Sequence, residues 1–211
     1  MSSLQDDLVF LVAEQKAKEE EKNIWRSSPW KDIATLESNN VGIVGEQFIH
    51  SICERAGIAN SINGAATKEL GGGAGDGVIK EQTVEIKCAR QGTGTSASFQ
   101  HELGEKPWAA KYMCFIDISP TKWYLTIFPN MTINQYKTDR FKCPYFPTRG
   151  ICWRKAETDG SGAKIGGGAF KFDTTVKLNE TQSQVQNAKT FVWSSPADDV
   201  ALGAFINNII N

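Results

Sequence analysis

The chain lacks the marks of several protein classes, and each absence excludes something. No run of 18 apolar residues occurs in its 211 residues, so no membrane-spanning helix is expected. The N-terminal stretch has no basic start leading into an apolar run and a small-residue cleavage site, which argues against a secretory signal. The five cysteines (Cys53, Cys88, Cys114, Cys143, Cys152) are odd in number and never spaced C-x-x-C. They read as reduced thiols acting as small apolar residues in a cytoplasmic protein. The two histidines, His50 and His101, have no cysteine spacing beside them that would build a structural zinc site. Neither sign of charge dominates: 23 Lys and Arg face 24 Asp and Glu, for a net charge of −1. A protein that coats nucleic acid by bulk charge is excluded, although an acidic metal site could offset a basic contact surface elsewhere. The glycine runs at 71–75 and 165–168 lack the spacing of phosphate-cradling motifs, and no internal repeat is present.

What the sequence does contain is a 40% hydrophobic fraction, enough for one sizeable core with appendages. Residues 1–40 read as a helical arm whose charged helix carries Leu4, Leu8, Leu11 and Val12 on a short apolar face, ended by Ser27-Ser28-Pro29. It suits a solvated helix or a dimerisation element. Residues 41–56 form an amphipathic helix with Val41, Val44, Phe48, Ile49 and Ile52 on one side and Gly57 as its cap. A small-residue loop follows. Residues 77–79 and 83–89 then read as a hairpin turned by Lys80-Glu81-Gln82. A short helix is expected from Ser98 through F-Q-H-E-L-G-E, then strands at 111–118 and 122–128 joined at Ser119-Pro120. Further on come a strand at 169–173 and a last helix from Pro196 to Ile210. The core is assigned to residues 41–135, and 136–211 to an extension completing the same domain.

The informative stretch runs from Gly75-Asp76-Gly77 to Val84-Glu85-Ile86-Lys87. Hydrolysing a phosphodiester takes a metal to neutralise developing charge, carboxylates to hold it, and help for the attacking water. Magnesium takes hard oxygen ligands and keeps several waters, so one or two carboxylates suffice. On a strand, Glu85 and Lys87 share a face while Ile86 turns into the core. Hairpin pairing would bring Asp76 near Glu85, with the Ile86 carbonyl as a third ligand and Lys87 beside the water. E-x-K occurs three times in the chain. Glu14/Lys16 and Glu20/Lys22 lie on the charged helix, where i and i+2 point apart; only Glu85/Lys87 lies on an apolar strand. The alternative is a salt-bridged edge hairpin.

On these residues the chain resembles the PD-(D/E)xK superfamily of restriction-endonuclease-like nucleases. The resemblance rests on G-D-G at 75–77, V-E-I-K at 84–87 and the upstream helix with Glu46 in G-E-Q-F-I, and spans residues 41 to about 128. Gly75 stands where the motif has its proline. The resemblance implies an α/β fold with a mixed central β-sheet flanked by helices, ordered helix, three strands, helix, strand. It further implies magnesium-dependent cleavage, with manganese able to substitute, leaving 5′ phosphate and 3′ hydroxyl ends. A catalytic carboxylate from Glu46 and double-stranded DNA as substrate belong to the same expectation. Cutting both strands of a duplex calls for two sites, hence a homodimer. Structure-selective or recombination nucleases, a non-catalytic nucleic-acid-binding module and an interaction protein organised by the N-terminal helix are the competing readings.

Other residues are candidates for DNA contact. A helix at 98–104 would place Gln100 or His101 over the scissile phosphate, and His50 lies one turn from Glu46. Arg90, Thr93, Thr95, Ser96 and Ser98 form a donor-rich loop after the E-x-K strand. Residues 137–155 hold six Lys or Arg against one Asp with interleaved aromatics, which nominates Arg140, Lys142 and Arg149 for backbone neutralisation. A surface histidine, a mobile linker and an ordinary packed strand are the plainer readings of these segments.

Overall fold

The central strands are buried on both faces, and alternate side chains decide how the layers stack. A computed structural model of the chain describes residues 3–62, 75–92, 99–102, 110–129, 152–154, 170–173 and 189–211. Its elements in chain order begin with α1 (Leu4–Glu21), α2 (Ser38–Arg55), β1 (Asn60–Ile62), β2 (Gly77–Ile79), β3 (Gln82–Arg90) and β4 (Gln100–Glu102). They continue with β5 (Tyr112–Ile118), β6 (Trp123–Pro129), β7 (Cys152–Arg154), β8 (Phe170–Asp173), β9 (Lys189–Trp193) and α3 (Asp199–Ile209). One sheet has the order β1-β2-β3-β5-β6-β9, and a second has β4-β8-β7. β3 and β5 run parallel while the other neighbours in the larger sheet are antiparallel. The expected α/β class with a mixed sheet and helices is therefore present. No helix among the described residues is long and apolar enough to cross a membrane.

Alternate residues of the large sheet serve two different layers. Ile86 of β3, Cys114 and Ile116 of β5, and Leu125 and Ile127 of β6 join one buried cluster with α2 and α3. Their neighbours Glu85, Phe115, Asp117, Tyr124 and Phe128 point the other way. On that second face lies β4, whose His101 bonds Asp117 and packs edge-on against the Phe115 ring at 4.9 Å between centroids.

α2 meets the sheet through Val41, Gly45, Ile49, Ile52 and Cys53, a face rotated from the expected one. Gly45 is the reason. A Cβ built there would stand 2.4 Å from Cys88 Cβ, so the backbone rests directly on β3 and turns Val44 outward, 37% exposed. Phe48 moves to the flank, against Trp123 at 4.9 Å. The helix ends as anticipated. Gly57, at φ +64, donates to Glu54 O, and Ile58 N donates to Cys53 O, the paired bonds that close a left-handed cap.

The hairpin also formed as expected, with a tighter turn. Ile79 pairs with Gln82, leaving a two-residue loop in which Lys80 and Glu81 both have positive φ (49 and 65). That is a type I′ turn carried by residues with a Cβ, which costs roughly 1–2 kcal/mol for each left-handed residue. Replacing Lys80-Glu81 by Asn-Gly is expected to stabilise the chain by about 1–2 kcal/mol, or about 2–8 °C in Tm, read by thermal unfolding.

Several expectations need correction. The helix drawn from Ser98 is absent where it can be compared, because Gln100–Glu102 is strand β4, paired to β8. Buried Phe99 and His101 anchor that segment on the sheet. The crossover between parallel β3 and β5 thus contains a strand where the resemblance implies a helix. β1 lies in what reads as a loop, and β9 was not anticipated. The arm is shorter than 1–40, since Trp25 and Ile33 are buried in the main core. Their segment is fastened by Trp25 Nε1 to Gln91 O (3.2 Å) and Trp30 Nε1 to Ser119 O (2.9 Å). The glycine-rich loop at 160–168 lies outside the described residues.

Candidate active site

β2 ends at Gly77, opposite Val84, while β3 continues for six more residues. Asp76 sits where the two part. Its backbone N–H donates to Val84 O (2.7 Å), and its Oδ2 accepts the N–H of Ile86 (2.6 Å). A side-chain carboxylate thus takes over the edge of β3 that β2 has left. Within a strand the N–H and C=O of one residue point to the same side, so the Ile86 carbonyl is turned toward Asp76 as well.

Gly75 makes this departure possible. Its φ is +87, and a Cβ there would fall 2.3 Å from Val84 O. Proline, fixed near φ −65°, has both the wrong dihedral and an atom where there is no room. The way this chain leaves its hairpin therefore excludes proline at position 75.

Glu85 and Lys87 share the second face of the sheet, and Lys87 Nζ donates to Glu85 Oε1. Glu85 is 8% exposed at the side chain and Lys87 26%, so the carboxylate is buried and the ammonium lies at the rim. Burial holds the Glu85 carboxyl above its ordinary range; Lys87 opposes that shift, and the Asp76 charge adds to it. Asp76 is itself buried at 8% exposure. Two buried carboxylates, one acting electrostatically on the other beside one ammonium, favour a further positive charge.

That surplus of negative charge gives a stability prediction. Glu85 has a raised folded-state pKa, so the folded chain binds more protons than the unfolded one, and stability falls as pH rises through the carboxylate range. Glu85→Gln is therefore expected to raise the Tm of metal-free protein at pH 8. The gain should shrink toward pH 4, where Glu85 itself takes up its proton. Thermal scans at both pH values check the sign.

The other candidates are distributed differently. Glu46 is half-buried on α2, next to Gly45, and α2 packs on the sheet face opposite to that of Glu85 and Lys87. His50 is exposed, with Nδ1 2.7 Å from Asn60 Oδ1. Arg90 shares the α2 side of β3, where its Nη1 donates to Leu36 O (2.9 Å), so one donor of this expected phosphate contact ties down the segment before α2. Gln100 is placed in β4, opposite Asp173. Thr93, Thr95, Ser96, Ser98, Arg140, Lys142 and Arg149 lie outside the described residues.

His101 is the clearest correction. It is 2% exposed, too buried to meet DNA, and its Nε2 lies 2.8 Å from Asp117 Oδ1. Asp117 is fully buried, and no reading of the sequence had singled it out. Its signal was available: one carboxylate in the otherwise apolar run Tyr112–Ile118 needs a partner. The register places Phe115 beside Lys87 and Asp117 beside Ala89, so the pair stands one step along the same face as Glu85 and Lys87.

Among the described residues no three His, Cys, Asp or Glu side chains form a metal-holding group. The available donor set is two carboxylates and a carbonyl, which suits magnesium and not zinc. No protein-family model matches the chain, and no curated protein sequence matches it.

Proposed function

We propose that this chain is a magnesium-dependent endodeoxyribonuclease of the PD-(D/E)xK kind, cutting duplex DNA in the manner of a restriction enzyme. The observation that carries the reading is Asp76 placed where β2 leaves β3, its carboxylate on the Ile86 N–H and its charge acting on buried Glu85, which shares a face with Lys87. The alternative, a salt-bridged edge hairpin, gives no reason to bury both Asp76 and Glu85. It also gives no reason for β3 to lie inside the sheet, between β2 and β5.

Asp76, Glu85 and the Ile86 carbonyl would hold magnesium, or manganese in its place, which when bound supplies positive charge to the phosphate in the transition state. Asp76 fixes the β3 edge through the Ile86 N–H. Lys87 favours the ionised form of Glu85 and, from the rim, orients the attacking water and stabilises charge on the phosphate. Duplex cleavage needs two such sites, so a homodimer accompanies the reading. Glu46 is left a supporting role at most.

Purified protein with magnesium should cut plasmid DNA, stop with a chelator, and leave 5′ phosphates in end-labelling. Discrete fragments mark sequence-specific restriction. Preference for branched DNA would replace that with a structure-selective nuclease, and binding indifferent to magnesium without cutting would replace the enzyme with a binding module.

A further inference from the structure

α1 is an 18-residue helix in which no residue is buried. Its N-terminus is well closed, since Ser3 and Asp6 exchange hydrogen bonds in a capping box. Capping alone leaves a helix of this length marginal in water, where tertiary packing supplies most helical stability. Yet Leu4, Leu8, Leu11 and Val12, at helical spacing, are 59–89% exposed, and Val9 and Phe10 on the helix flanks are exposed at 62% and 67%. A contiguous apolar stripe of this kind marks a surface that something covers.

The same chain has an unfilled apolar cleft. It has a volume of about 780 Å³ and opens between α2, α3 and the end of the large sheet. Trp30, Phe48, Trp123 and Trp193 wall it, with Val44 and Val200 standing exposed at its margin. α2 and α3 are nearly in backbone contact at its base, where a Cβ on Gly203 would come within 2.8 Å of Ala56 Cβ. A trough between two helices, floored with aromatics, is shaped to receive a third helix through anchors at i, i+4 and i+7. Leu4, Leu8 and Leu11 have that spacing.

We infer that the cleft receives α1 of a second copy of this chain, so that two copies exchange arms across a twofold axis. Three observations favour that occupant. Every chain carries both knob and hole, so an exchange leaves neither of them uncovered, as a closed twofold requires. The arm is rooted at the cleft itself: Trp30 is one of its walls, and buried Trp25 fixes the chain three residues beyond Lys22. From that root α1 extends without burying any residue on its own subunit. The area also suffices. Four stripe side chains offering on the order of 100 Å² each, on two arms and with the walls they cover, bury on the order of 1,600 Å², a standard stable interface.

The inference names the interface of the homodimer in the proposed function but is tested by mass, so its failure is separate from any failure to cleave DNA. Light scattering of the full chain should give twice 23.2 kDa. An arm variant, Leu8→Arg with Leu11→Arg, and a cleft variant, Val44→Arg with Val200→Arg, alter exposed positions and should stay folded by circular dichroism. Each should weaken self-association by on the order of 100-fold. Mixed together they should recover a heterodimer, because the intact arm of one meets the intact cleft of the other. A wild-type monomer at all concentrations overturns the inference, whether α1 then folds onto its own cleft or awaits another molecule. So does a dimer that the arm variant abolishes and the cleft variant leaves intact, which would mean that arms pair with arms.

Discussion

Lys87→Ala is expected to lower magnesium-dependent DNA cleavage by about 10³-fold or more while leaving a folded chain. Removing one preorganised donor from a developing charge commonly costs about 10²–10³ in rate. Lys87 is placed to do more than that. Among the described residues its ammonium is the group that favours the ionised Glu85 carboxylate, against burial and against Asp76. Without it Glu85 is more readily protonated and becomes a poorer metal ligand, so the variant should also need more magnesium and show a more alkaline pH optimum. Lys87→Arg should not rescue, because a planar guanidinium beside a buried carboxylate cannot reproduce a compact ammonium. Asp76→Asn should fail for a distinct reason: it keeps an acceptor for the Ile86 N–H and the fold with it, but loses the charge. Arg90→Ala serves as the contrast. Its guanidinium donates to the Leu36 carbonyl on the other side of the sheet, so cleavage should fall far less than with Lys87→Ala. Plasmid digestion across a magnesium series reads all four variants, and undiminished cutting by Lys87→Ala would remove the enzymatic assignment.

The sequence made much of this site legible because the relevant geometry is local. Period-two alternation places Glu85 and Lys87 together and Ile86 in the core, and a hairpin nine residues long in sequence brings Asp76 to the same place. The elements misread are those whose conformation is set by distant partners. Gln100–Glu102 is a strand because β8, seventy residues later, pairs with it and because His101 must reach Asp117. Nothing in F-Q-H-E announces either. Asn60–Ile62 is too short to display a period and becomes β1 by pairing with β2. The face of α2 was misjudged because side-chain hydrophobicity favours Val44 and Phe48, whereas the helix is centred on the residue without a side chain, Gly45. Glu46 was nominated by the company it keeps in the motif, a guide that carries no information about which sheet face the helix covers.

The His101–Asp117 pair gives the largest expected change in stability. Both side chains are essentially removed from water, at 1% and 0% exposure. Asp117 also raises the pKa of neighbouring Tyr124 and Cys88, second in each to burial, so its charge is felt by the groups around it. Breaking a buried pair by deleting one partner commonly costs about 3–5 kcal/mol. His101→Phe should therefore unfold at a lower denaturant midpoint, since it removes the bond from the imidazole to a carboxylate buried in the core. Asp117→Leu should cost less, because it leaves the His101 ring packed edge-on against Phe115. The double variant is the informative one. A phenylalanine at 101 can keep the edge-on packing against Phe115, and leucine fills the space of the carboxylate, so its loss should be smaller than that of His101→Phe alone. Such a cycle, with a coupling of about 2 kcal/mol or more, would show that the two residues act as one unit joining β4 to the sheet. Additive losses would mean that each is held by separate partners. The folded double variant then asks a second question by digestion: if it still cuts DNA, the pair fastens the wall beside Lys87 and takes no part in the chemistry.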